Sequence, residues 1–260
     1  MTHGRLASAR PKATQLALLI GLGLFAVQIG TAQSTKAPHA HWRFDTVAKG
    51  VVVDATGNGF DATFFGKGDA APVLSDGIHG KAAVLAAKHE QGYAIANSKN
   101  LNIAGPFTIM AWIKPSRRHA TFAIACMKGD KSGPPPWPGW RFRFSWARAS
   151  FQVGTPEGTE PAVSSPQWSV PPGFWSHVAA TWDGKHLRIY VNAVEKGIMP
   201  FDGTVAPQNP RHPLLLGNYI GRKNAYAFDG GIDDVRIYSL CLSEDDVFAA
   251  AANADPRNPD

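Results

Sequence analysis

Between residues 174 and 194 apolar and polar positions alternate with a period of two, as in strands with one face buried. Val178, Ala180 and Trp182 share one face, and His177, Ala179 and Thr181 share the other. Asp183-Gly184 follows, a turn in which glycine can take a positive φ. Leu187, Ile189 and Val191 then alternate with His186, Arg188 and Tyr190. The pattern predicts a β-hairpin, with Asn192 at the next reversal.

The same alternation predicts a first strand over residues 41–47, with Trp42 and Phe44 toward the core. Residues 51–66 predict a short strand, a loop and a second strand. Short strands follow over 82–85 and 92–95. Residues 107–113 are apolar on both faces, which predicts a central strand with both sides covered. Residues 122–127 return as a strand. Three consecutive prolines make 131–139 extended and exclude it from a central strand. In the stretch 140–153, Trp140, Phe142 and Phe144 alternate with Arg141, Arg143 and Ser145, giving one aromatic and one basic face. Residues 154–173 are rich in turns, and a strand is predicted at 214–220. Ser243-Glu244-Asp245-Asp246 reads as a helix start, with Leu242 and Val247 placed as a hydrophobic staple. Residues 253–260 are expected to fray.

The hairpin resembles the pattern W-x-H-V-A-x-x-x-D-G-x-x-x-x-Y-V-N of LamG-like jelly-roll domains, the concanavalin A-like lectin/glucanase group. Trp175, His177, Val178, Ala179, Asp183, Gly184, Tyr190, Val191 and Asn192 match it. The family usually has glycine after the Asn; here it is Ala193. Asp54, Thr56, Gly57, Asn58 and Gly59 resemble the family's D-x-S-G-N-G opening, and residues 228–238 its closing strand. The resemblance covers residues 41–252 and implies an all-β, two-sheet antiparallel jelly-roll sandwich with a short C-terminal helix. It implies a non-catalytic binding module, for a carbohydrate or a cell-surface glycoconjugate. A protein–protein adhesion module of the same fold, and a polysaccharide lyase or glycoside hydrolase, are the alternatives.

A chain of 260 residues suits one large all-β domain with trimmings. Arg5, Arg10 and Lys12 precede an apolar run at 16–29 and the small residues Gly30-Thr31-Ala32. This order resembles an export signal. The run is short for a membrane span, which needs about 20 residues. Residues 33–40 then form a polar linker, and the mature protein is expected to be secreted or periplasmic, meeting the membrane only through the signal peptide. The chain has 26 basic and 20 acidic residues; without the three basic residues of the leader the excess is small and makes no case for nucleic acid. Cys126 and Cys241 stand alone, either as a disulfide or as buried hydrophobes.

Asp54, Thr56, Asn58 and Gly59 mimic the start of an EF-hand loop, but the twelfth position is Phe65 where a bidentate acid is needed. Two readings stand: a structural calcium, which the jelly-roll resemblance implies, on Asp54 and Asn58, joined by an inward-facing Asp233, or a plain Asx turn. A hydrolase would want two carboxylates flanking the bond, and no alternating acid run exists. A lyase would draw on His177, Arg188 and Tyr190. A ligand rim is expected at Trp137, Trp140, Arg141 and Arg143, where indole faces suit sugar rings and arginines suit carboxylates or sulfates. The alternative is that the two tryptophans plug the end of the sandwich.

Cleavage after Ala32 is expected to leave Gln33 as the first residue of exported protein. N-terminal sequencing checks this, and a mature form that retains residues 16–29 would refute it.

Overall fold

The computed structural model describes residues 36–96, 99–117, 119, 123–129, 137–208, 212–219 and 224–252, together with Met1. The expected leader, the start of the linker and the 253–260 tail lie outside the described residues. The first strands are β1 (Ala40–Trp42), β2 (Val51–Val52), β3 (Ala62–Phe65), β4 (Val73–Asp76), β5 (Lys81–Leu85) and β6 (Gly92–Ile95). The middle of the chain supplies β7 (Phe107–Pro115), β8 (Ala123–Gly129), β9 (Gly139–Ser145), β10 (Arg148–Val153) and β11 (Ala162–Ser164). Then come β12 (Ser176–Trp182), β13 (His186–Val191), β14 (Val194–Pro200), β15 (Leu214–Leu216), β16 (Gly230–Tyr238) and a helix, α1 (Glu244–Ala252).

The strands pair antiparallel into two sheets. The first runs β14-β13-β12-β7-β16-β5-β4, with β1 added on β16. The second runs β11-β10-β9-β8-β15-β6-β3-β2. The inner faces meet in one apolar core, where Phe107 lies against Trp140, Phe151 and Trp182. β7 is central as its two-sided apolar pattern predicts, held between β12 and β16. Phe107, Ile109, Ala111 and Ile113 enter the core. Met110 meets α1 on the outer face, and Trp112 meets Ile78 and Trp175 there.

Helix α1 starts as predicted. The Asp246 N–H donates to Ser243 Oγ at 3.2 Å, and the Ser243 N–H donates to Asp246 Oδ2 at 3.1 Å. Both bonds satisfy groups that a helix start leaves unpaired. Leu242 and Val247 are buried together against Met110, Ala179, Tyr190 and Tyr238. Cys126 lies in the core and Cys241 is half-buried; both are free thiols, so the disulfide alternative falls.

Three local features depart from the pattern. The first strand is shorter than expected, because Phe44 takes φ 61° and leaves the ladder while its ring stays buried. The stretch 140–153 is a hairpin, not one strand: Ser145 faces Arg148 across a two-residue turn in which Trp146 and Ala147 take φ 54° and 57°. Such turns normally use Asn or Gly, and this one has neither. Finally, Asp234 takes φ 49° and the pairing of β16 with β7 slips between Asp233 and Arg236. This β-bulge resets the alternation. Ile232, Val235 and Ile237 point into the core, while Asp233 pairs with Trp112 on the outer face. The expected inward position of Asp233 is therefore corrected.

Beyond the expected β12–β13 hairpin the chain turns again at Asn192-Ala193 into β14, an edge strand. Asn192 anchors this turn, its Oδ1 accepting the His177 N–H at 3.0 Å. Ala193 takes φ 62°, the conformation that the family's glycine would adopt without strain. Ala193→Gly is expected to raise stability by about 0.5–1 kcal/mol. Denaturant unfolding measures the difference, and a lower midpoint in the variant would refute a strained turn.

Candidate ligand-binding site

The four residues of the expected rim do not meet at a surface. Trp140 is fully buried, with its ring centroid 6.2 Å from Phe107 and 6.5 Å from Phe151. It is a residue of the core between the sheets. Trp137 is half-buried ahead of β9, and its carbonyl sits so close to Gly154 that no side chain would fit there. Arg141 and Arg143 do face outward from the second sheet. Arg141 is nevertheless 3% exposed, and its Nη1 donates to Glu160 Oε1 at 2.9 Å. Burial, then the neighbouring Arg141 charge, pushes Arg143 down to about 10. The outer face is covered here because Met127, Leu215 and Tyr219 pack over it with Phe65 and Tyr226.

The residues proposed for calcium are also separated. Asp54 Oδ1 accepts the His41 N–H at 3.0 Å and the Thr56 N–H at 3.1 Å. Its Oδ2 accepts the Phe60 N–H at 3.3 Å, and the Thr56 hydroxyl lies 2.8 Å from both oxygens. Burial opposes ionisation, yet the Thr56 hydroxyl and these N–H groups hold Asp54 below the usual carboxylate range. Asn58 Nδ2 donates to the His39 carbonyl at 3.0 Å. Asp233 is fixed elsewhere, by the Ile78 N–H and the Asp234 N–H, each at 2.8 Å. Burial pushes Asp233 up to about 7, and the Asp234 charge adds to the shift. A calcium ion needs oxygens turned toward it, whereas the Asp54 carboxylate is ringed by donors. The set does not fit calcium. Among the described residues no group of three or more His, Cys, Asp or Glu is placed to hold a metal.

The residues that a lyase would use are enclosed or committed. His177 is 2% exposed, packs edge-on against Trp112 and is pushed down to about 4 by burial. Tyr190 is buried under α1. Arg188 Nη1 pairs with Asp183 Oδ2 at 2.5 Å.

Exposed aromatics gather instead where β7 ends and β9 turns into β10. Trp146 is 40% exposed, Trp168 57% and Phe174 68%. Backbone bonds bring their segments together. The Trp146 N–H donates to the His119 carbonyl at 2.8 Å, the Val170 N–H to Ala147 at 3.0 Å and the Gly173 N–H to Pro115 at 2.8 Å. Trp146 and Trp168 hold φ of 54° and 68°, strained values for large side chains, and such strain collects at functional sites. Beside them lies a small, mainly apolar hollow with room for about one water molecule, lined by Pro115, His119, Phe144, Ser145, Arg148 and Val170 among others. None of this was legible in the alternation, because the turn carries no glycine or asparagine.

A profile described as the concanavalin A-like lectin/glucanases superfamily matches residues 88–248. A comparison with curated protein sequences finds no match. Solved structures share the fold. Domain 4 of AbnA, an extracellular GH43 arabinanase from Geobacillus stearothermophilus solved with arabinotriose, matches with a TM-score of 0.62 and 23% identity, over 82% of this chain and 98% of that one. The binding domain of Paraclostridial Mosquitocidal Protein 1 matches at 0.64 and 16%, over 82% of this chain and 51% of that one. The binding domain of botulinum neurotoxin serotype G matches at 0.62 and 14%, over 83% and 50%. The chain thus spans about half of each toxin domain.

Asp54→Asn replaces an acceptor oxygen with a donor that faces N–H groups. It is expected to lower stability by about 1–3 kcal/mol, while a calcium chelator leaves the wild-type melting temperature unchanged. A fall in melting temperature on chelation would restore the metal.

Proposed function

The chain belongs to the concanavalin A-like lectin/glucanases superfamily, and we propose that it is an exported, non-catalytic module that binds carbohydrate. The observation that carries this reading is the exposure of Trp146 and Trp168 on neighbouring segments at one end of the sandwich. An indole presents a flat apolar face that suits a sugar ring, and few rotatable bonds are frozen when it binds. The backbone bonds of His119, Ala147 and Pro115 hold these segments before any ligand arrives, which lowers the entropic penalty of association. Among the described residues the lining of the hollow beside them contains no carboxylate of the kind that glycoside hydrolysis requires. The arabinanase domain solved with arabinotriose supports a glycan, and the toxin binding domains support a binding role.

Trp146→Ala and Trp168→Ala are each expected to weaken glycan binding at least ten-fold, about 1.4 kcal/mol, while the melting temperature stays close to wild type. A glycan array identifies the ligand and calorimetry measures the loss. Unchanged binding in a folded double variant would overturn the site.

A further inference from the structure

We propose that the strap of residues 165–175 reads a linear glycan along its length, with Phe174 holding a second stretch of the chain beyond the sugar stacked at Trp146 and Trp168. The proposal rests on the glycan reading above and adds the form of the ligand, a run of linked sugars in place of a single terminal one. Among the described residues four Trp or Phe side chains are exposed: Trp146, Trp168, Phe174 and, on α1, Phe248. The first three stand together at one end of the sandwich. Single exposed apolar side chains are ordinary, whereas a cluster of them marks a binding surface.

The strap connects β11 in the second sheet to β12 in the first. The Ser165 N–H donates to the Ala149 carbonyl at 2.9 Å and the Val170 N–H to the Ala147 carbonyl at 3.0 Å, which moors this half to the second sheet. The Gly173 N–H donates to the Pro115 carbonyl at 2.8 Å, on the first sheet. The chain therefore crosses the end of the core between Val170 and Gly173, and the buried Val170 side chain joins the core there. Trp168 lies before the crossing, near the turn that carries Trp146, and Phe174 lies after it. The two groups of rings are thus moored on opposite sheets, and facing sheets stand about 10 Å apart. One sugar ring does not span such a gap; two or three linked rings do.

The backbone holds Phe174 in place on both sides. Pro171 and Pro172 fix their own φ and stiffen the crossing. Gly173 then takes φ 83°, a conformation that a side chain would strain. On the far side Trp175 packs with Ile78 and Trp112 on the outer face of the first sheet, its ring so close to Gly231 that no side chain would fit there. Between these anchors the Phe174 ring stays exposed. A contact surface ordered in advance lowers the entropic penalty of binding. No Asp, Glu, Lys, Arg or His occurs between residues 165 and 175. The strap therefore offers apolar rings and neutral polar groups, which suit the faces and hydroxyls of sugars and not a phosphate surface. Once one sugar is stacked, a second contact made by the same chain is intramolecular, so it raises the affinity for longer chains.

The experiment measures affinity by calorimetry for cello-, xylo- and arabino-oligosaccharides of two, four and six residues. Should a glycan array select another class, its oligomers of the same lengths replace these. In the series that binds, affinity is expected to rise about ten-fold from two to four residues and to change little from four to six. Phe174→Ala is expected to remove that rise and to leave the disaccharide affinity unchanged, whereas Trp168→Ala weakens every length. Because Phe174 is exposed, its variant is expected to keep the wild-type melting temperature. Equal wild-type affinity for two and four residues, or an equal loss at every length in Phe174→Ala, would overturn the second contact and leave the glycan reading. Absence of binding to every glycan on the array would overturn both. Wild-type affinity at every length in Phe174→Ala, with loss of binding to phosphatidylcholine vesicles, would overturn the second sugar contact in favour of a membrane surface.

Discussion

Asp234 and Arg236 are two charges that the closing strand turns onto the outer face of the first sheet, and both are covered. A buried charge must be paired. Arg236 Nη2 lies 2.8 Å from Asp234 Oδ2, and His41 Nε2 bonds Asp234 Oδ1. Arg236 Nη1 then donates to the Ala250 carbonyl at 3.2 Å. Burial opposes the charge on Asp234, and Arg236 and His41 hold it ionised, below the usual carboxylate range. These contacts join β1, β16 and α1, segments from the two ends of the domain. Docking of the helix and addition of β1 to the sheet both depend on that group. Loss of one member would strand its partner charge, a change worth several kcal/mol.

The same strand carries the opposite end of the sandwich. Gly230 pairs with Pro115, and the Asp229 carbonyl accepts the Ser116 N–H at 2.9 Å. Phe228 supports the His119 ring, and Asp229 engages Arg117. The walls of the cavity are thus set by the entry to β16, while the exit from β16 anchors the helix. Catalytic relatives in such a sandwich need acids turned into a cleft; here the acids of the closing strand are used to close the fold.

The pattern of apolar positions was sufficient for most elements. Period-two alternation located β12 and β13, a run apolar on both faces located β7, and the spacing of Ser243 from Asp246 located the helix start. What it missed shares one cause: left-handed backbone at residues that do not announce it. Phe44 and Asp234 each end an alternation that the side chains alone would continue. Trp146 and Ala147 fold a stretch that reads as one strand into a hairpin. Parity counted through such a point is wrong on its far side, which is why Asp233 was placed inward. The rim failed for another reason. An alternation of aromatic and basic residues tells the two faces apart, but not that the aromatic face takes Trp140 into the core or that Arg141 on the basic face is buried against Glu160. Aromatic and arginine chemistry was legible, and its address was not. Ala193 was legible, because the family pattern names the conformation required there.

The route of β16 has a consequence for how the domain is mounted. Lys36 Nζ reaches Asp246 Oδ2 at 2.5 Å, so the chain enters and leaves the sandwich side by side, past the Tyr238 end of the strand. The cavity lies past the Gly230 end. Nine residues of extended strand separate the two, roughly 27 Å at the usual rise. The Lys36–Asp246 contact thus marks one pole of the domain, and the exposed indoles of Trp146 and Trp168 mark the other, like a grapnel with its shank at one end and its flukes at the far one.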